Sequence, residues 1–175
     1  DKRYFPTKGL KTNISYTIYT DLHTNTAYSS LATQITKIFP IALNTFIIPT
    51  IYGRFIFNDN IPFMYSNVIG GEGYNLRYEQ QIPFSGLIHT ESTLKLLGNA
   101  QIQLRHKFHE RQYFTVSGNY ATHQNQFFKF FAGKKIYGTS IGYGYDSPVG
   151  PLEGFICYSN RTHKLEFYLN IGFEF

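Results

Sequence analysis

The sequence predicts an all-β fold, an antiparallel transmembrane β-barrel module of about eight strands. Three observations carry this. Apolar and polar residues alternate with a period of two over long runs. The second face of those runs holds Gln, Asn, Ser, Thr and Gly with isolated Arg or Lys, where a soluble sheet would place Lys and Glu. Tyr and Phe crowd the strand ends, as interfacial girdles do. Charged residues make up 15% of the chain, against roughly 25% in soluble domains. With 42% hydrophobic residues and a net charge of +5, disorder by composition is excluded. A chain of 175 residues is expected to be one domain.

The elements follow in order. Residues 9–20, 27–40 and 42–58 read as strands, with Pro6-Thr7 and residues 21–26 as punctuation. Residues 59–91 form one long connection carrying Pro62, Gly70, Gly71, Gly73, Pro83 and Gly86, with weak periodicity. Loops beyond about 12–15 residues are uncommon unless they work, so this segment is expected to carry function. Along residues 94–108, Leu94, Leu96, Gly98, Ala100, Ile102, Leu104 and Phe108 face one way, and Gln101, Gln103, Arg105 and Lys107 the other. The turn His109-Glu110-Arg111 follows. Tyr137, Thr139, Ile141, Tyr143 and Tyr145 then alternate with a small-residue stripe of Gly138, Ser140, Gly142 and Gly144. Ser147-Pro148-Val149-Gly150 leads into Leu152, Gly154, Ile156 and Tyr158, and residues 160–163 turn into the last strand. There Leu165, Phe167, Leu169, Ile171, Phe173 and Phe175 oppose Glu166, Tyr168, Asn170, Gly172 and Glu174. No helix is expected. The most apolar stretch, residues 38–53, is broken by Pro40, Asn44, Thr45, Pro49 and Thr50, so no spanning helix is encoded.

Several motifs resemble those of a known family. Tyr4-Phe5-Pro6-Thr7-Lys8-Gly9, the hairpin Tyr145-Asp146-Ser147-Pro148-Val149-Gly150-Pro151-Leu152 and the closing run 169–175 are together similar to the C-terminal half of the BamA-like surface-antigen barrels, the outer-membrane assembly and secretion superfamily. The resemblance covers essentially the whole chain. It implies that residues 59–91 are a loop folded back into the lumen, with Gly70 and Gly71 as its paired glycines and Arg77 matching the family's tip arginine, although no glycine follows it. It implies a C-terminal assembly signal at Phe173 and Phe175. It also implies half of a barrel of about sixteen strands, the remainder coming from a missing N-terminal half or from a second copy. Gly144 to Pro148 and Asn170 to Phe175 are closest in style to barrels that follow patatin-like phospholipase domains in Bacteroidetes-type bacteria, which implies an upstream lipase domain.

Other motifs have plainer readings. Gly138-Thr139-Ser140-Ile141-Gly142 fits the G-x-S-x-G nucleophile elbow, but an elbow needs a strand-to-helix turn, and this is continuous strand. The small-residue stripe instead offers an inserted loop room to approach the wall. Glu153 reads as a lumenal carboxylate available to Arg77; the alternative is a solvated arginine on a mobile loop. Six histidines lack metal-ligand spacing, and the single Cys157 excludes a multi-Cys site. No catalytic residue, metal or cofactor is expected. The pI of about 9.2 comes from scattered Lys and Arg rather than a basic patch, so nucleic acid is not expected as a partner. Outer-membrane lipid and lipopolysaccharide, the assembly machinery and a second copy are. The expected function is anchoring or translocating an associated domain at the bacterial outer membrane. The alternatives are a general insertase or translocation pore, and a small barrel binding an apolar ligand.

Overall fold

A computed structural model describes residues 5–21, 26–58, 61–71, 80–87, 89–148 and 150–172. Eight long strands form one antiparallel sheet: β1 (Gly9–Asp21), β2 (Thr26–Ala42), β3 (Thr45–Ile56), β7 (Leu96–His109), β8 (Gln112–Gln124), β9 (Lys134–Ser147), β10 (Gly150–Ser159) and β11 (Leu165–Ile171), each beside its predecessor. The long connection between β3 and β7 was expected to lack regular structure. It holds instead a small sheet of β4 (Asn67–Ile69), β5 (Gln81–Ile82) and β6 (Glu91–Thr93), whose two- and three-residue strands are too short for periodicity to reveal.

Turn chemistry separates the two ends of the sheet. At one end the hairpins are tight: Leu43 and Asn44 join β2 to β3, with Asn44 at φ 61, a left-handed value that asparagine tolerates. At the other end lie the β3–β7 connection and the β8–β9 connection, which contains a 3-10 segment at Phe127–Ala132.

The two faces are inverted relative to a soluble sheet. Ile14, Ile35, Ile51, Ile102, Val116, Ile141, Ile156 and Leu169, one from each long strand, all point outward and are exposed. On the opposite face Arg54, Asn99, Arg105, Thr115, Ser117, Asn119, Glu153 and Asn170 are buried. Burying a large aliphatic side chain is worth about 1.5–3 kcal/mol, and this sheet forgoes that gain on every strand. Such a surface suits hydrocarbon, with the polar face turned to the lumen. Among the described residues no helix is long and apolar enough to cross a membrane.

No ladder joins β1 to β11 among the described residues. The inward-facing Lys11, Asn13 and Ser15 of β1 are exposed as well. The packed interior therefore sits under β3 and β7–β10, where the long loop lies.

Candidate functional site: the seat of the loop on the inner face

The loop is pinned first at β3. In the alternation of that strand Ile51, Gly53 and Phe55 point outward, which turns Arg54 inward. Its guanidinium donates to Asn67 Oδ1 at 2.9 Å and to Ser30 Oγ at 3.1 Å. Asn67 is fully buried and passes the connection on, its Nδ2 donating to the carbonyls of Leu94 and Lys95, both at 2.8 Å. One arginine of the wall thus ties together the two ends of the loop.

The paired glycines reverse the chain next. Gly70 and Gly71 adopt φ 123 and φ 78, in the region that favours glycine, and a Cβ at Gly70 would strike the carbonyl of His89. The reversal is held by Gly70 N–H to Ile82 O (3.0 Å), Phe84 N–H to Gly71 O (2.9 Å) and Gln81 Nε2 to Gly70 O (2.7 Å). It brings Ile69, Ile82, Phe84 and Leu87 together against Leu97, Ala121 and Ile136 of the wall, with Tyr52 at the margin.

Beyond this apolar contact the loop meets β8 and β9 through hydroxyls. Ser85 Oγ lies 2.9 Å from Ser117 Oγ, which lies 2.7 Å from Ser140 Oγ, and Ser140 donates back to Ser85 at 3.2 Å. All three are buried. A ring of three hydroxyls lets each donate once and accept once, so none is stranded. Beside it, Gly138 has the Ser85 carbonyl and the Phe84 ring where its side chain would stand. The stripe continues under other covers: Gly142 lies beneath Phe155, and Gly144 beneath Phe5. Phe5 stacks on Tyr113 with centroids 4.1 Å apart, and the Arg105 guanidinium sits 5.2 Å from the Phe5 ring. At the rim Arg161 pairs with Glu91 at 3.0 Å, both partly exposed, a contact of little energetic weight.

Ser140, the serine of the G-x-S-x-G match, is therefore a mid-strand residue whose hydroxyl holds the loop seat. Glu153 is buried on β10 and accepts from Asn170 Nδ2 at 3.3 Å. Arg77, Phe173 and Phe175 lie outside the described residues. No group of His, Cys, Asp and Glu among the described residues could hold a metal. Sequence reasoning missed Arg54, Asn67, Ser85 and Ser117. For Arg54 the signal was present, since it is a lone arginine on the inward parity of an apolar strand.

An inverted antiparallel sheet with a loop packed on its polar face defines an outer-membrane barrel module. The family model of the OMP85 superfamily matches residues 1–175, and the chain belongs to that superfamily. Membership places it in the general class of outer-membrane insertase and translocation barrels. Comparison with curated proteins found no match.

Proposed function

We propose that this chain is the wall and plug of an outer-membrane barrel that passes or inserts an associated protein, with the β3–β7 loop as the movable part. The observation that supports this reading is the seat itself, in which one apolar cluster is flanked on the inner face by polar attachments, Arg54 on one side and the serine ring beside Gly138 on the other. Outer-membrane barrels keep short turns on the periplasmic side and long loops outside, so the loop-bearing end faces the exterior. The eight strands are one half of a larger barrel. An eight-stranded barrel has an interior just wide enough for side chains, and here loop backbone occupies it. Arg77 completes the plug by pairing with Glu153, and Phe173 with Phe175 forms the assembly signal. The resemblance at Gly144 to Pro148 and at Asn170 to Phe175 supports a patatin-like lipase as the associated domain, and a lipase sequence upstream in the gene would test that.

The function is tested by locking the loop. In a Cys157→Ser background, Ser85→Cys with Ser117→Cys places two thiols where hydroxyls now touch. Oxidation is expected to stop passage of the associated domain, and reduction to restore it. Passage at the parental rate with the disulfide formed would overturn the reading. Closure is tested by cysteines on β1 and β11: cross-linking within a single chain, with no larger partner, would refute the half-barrel.

A further inference from the structure

The β8–β9 connection turns the other way, onto the outer face. Its core, Phe127-Phe128-Lys129-Phe130-Phe131, is held as two 3-10 turns with a kink at Lys129. Phe130 lies over Gly98 of the outward stripe of β7, where an added Cβ would stand 2.6 Å from the ring. The Phe130 carbonyl accepts from Thr122 Oγ1 and from Gly133 N–H, both at 3.1 Å. Leu96 and Thr122, outward by parity, are buried in this region. Phe127 approaches Phe55 edge-on at 6.5 Å, and Phe55 meets Phe57 at 4.5 Å. The segment therefore rests on the same surface as the apolar band and continues it.

What it turns away from the wall is aromatic. Phe127 is 69% exposed, Phe131 85% and Phe128 100%. Lys129 is exposed between them and Lys134 and Lys135 just after. Lys135 tops the outward stripe of β9, one step above Tyr137, which packs on Tyr120 at 5.3 Å. The sequence holds no Asp or Glu between Glu110 and Asp146, so this hairpin presents only positive charge.

We propose that residues 127–135 are an interfacial wedge seated in the phosphate-bearing headgroup layer of the outer leaflet, with Phe127, Phe128 and Phe131 entering the acyl boundary and Lys129 and Lys135 reaching the lipid phosphates. The inference rests on the outer-membrane reading. Two features select lipid over a protein partner: the segment is flush with the hydrocarbon-facing band, and its lysines stand where long side chains can reach out to anionic headgroups while their stems stay apolar.

The chain contains no Trp, so Phe128→Trp, Phe131→Trp and a mid-wall Ile102→Trp each give a single reporter. The chain is folded into bilayers of phosphatidylglycerol or phosphatidylcholine carrying bromine at shallow or deep acyl carbons. All three reporters are expected to be quenched, Ile102→Trp more by deep bromine and the other two more by shallow bromine. Lys129→Glu with Lys135→Glu is expected to reduce shallow quenching of Phe128→Trp about two-fold or more in phosphatidylglycerol and little in phosphatidylcholine. Quenching at Ile102→Trp with Phe128→Trp and Phe131→Trp open only to aqueous acrylamide would overturn the wedge and leave the barrel standing. No lipid quenching at Ile102→Trp would overturn both. Equal quenching before and after the charge reversal would refute the phosphate contact.

Discussion

Two connections leave the same end of the sheet and go to opposite faces. The β3–β7 loop turns inward onto Ser117, Gly138 and Ser140, while the β8–β9 connection turns outward onto Gly98. Each finds a glycine in the wall at its closest approach, yet the attachments differ in kind. The inner contact brings backbone against backbone on a polar surface, so hydrogen bonds must be satisfied there and a guanidinium, an amide and three hydroxyls supply them. The outer contact brings a ring end onto an apolar surface, where only two donors to one carbonyl are needed. A loop destined for the lumen thus adds directional bonds to its apolar packing, and one destined for lipid is held by packing and by what surrounds it.

The largest expected effect that would break this contrast comes from Gly138→Ala. Its Cβ meets the Ser85 carbonyl, which is backbone and cannot yield without the loop moving. Overpacking of this kind costs about 1–3 kcal/mol, so protease cleavage within residues 61–71 should rise roughly ten-fold or more. Gly118→Ala, with open space around it, is the matched control and should leave cleavage unchanged. Comparable in size is Arg54→Ala, which strands Asn67 Oδ1 and Ser30 Oγ. Losing hydrogen bonds from a charged donor costs about 1.5–3 kcal/mol, and amide exchange at Asn67 to Ile69 should accelerate accordingly, with Arg54→Lys recovering part of the protection. Gly98→Ala should be milder, at the low end of that range near about 1 kcal/mol, because the Phe130 ring end can swing aside. It should raise cleavage near Phe128 and leave the inner loop untouched; an effect on the inner loop would erase the distinction between the faces. Smallest is Arg161→Ala. An exposed pair contributes about 0–1 kcal/mol and is screened by salt, so loop cleavage should change less than about five-fold at low salt and not at all near 1 M.

The wall was legible because alternation is a local signal. The outward stripe from Ile102 and Leu104, the inward Arg105, and the closing run from Leu165 all stand as parity demands. The seat of the loop was legible only in part. The small-residue stripe stood out as a run, but Ser85 and Ser117 are ordinary serines until a fold puts residues 32 apart within 2.9 Å. Arg54 and Asn67 likewise gain meaning only as a pair, and Asn67 sits in a stretch too short to show a period. The Phe127 to Phe131 cluster drew no reading of its own, because composition states that rings are present and not which face they fold onto. Gly98 decides that, and within its strand it reads as one small member of an apolar stripe.

The seam between β3 and β7 has a consequence for how the molecule assembles. Every other neighbouring pair of the eight long strands is joined by a shorter connection, whereas Thr45 meets His106 across the whole inserted loop. Closing roughly forty residues instead of a two-residue turn adds about 2–3 kcal/mol of chain entropy. The strands before it and the strands after it are therefore two local meanders, and their union is the late event. The loop grips Arg54 on one meander and Ser117 and Ser140 on the other, so it can reach its full set of bonds only after the two have met. Its docking then reports that this seam has closed, and a seam joined in the wrong register would leave the plug undocked and open to proteolysis.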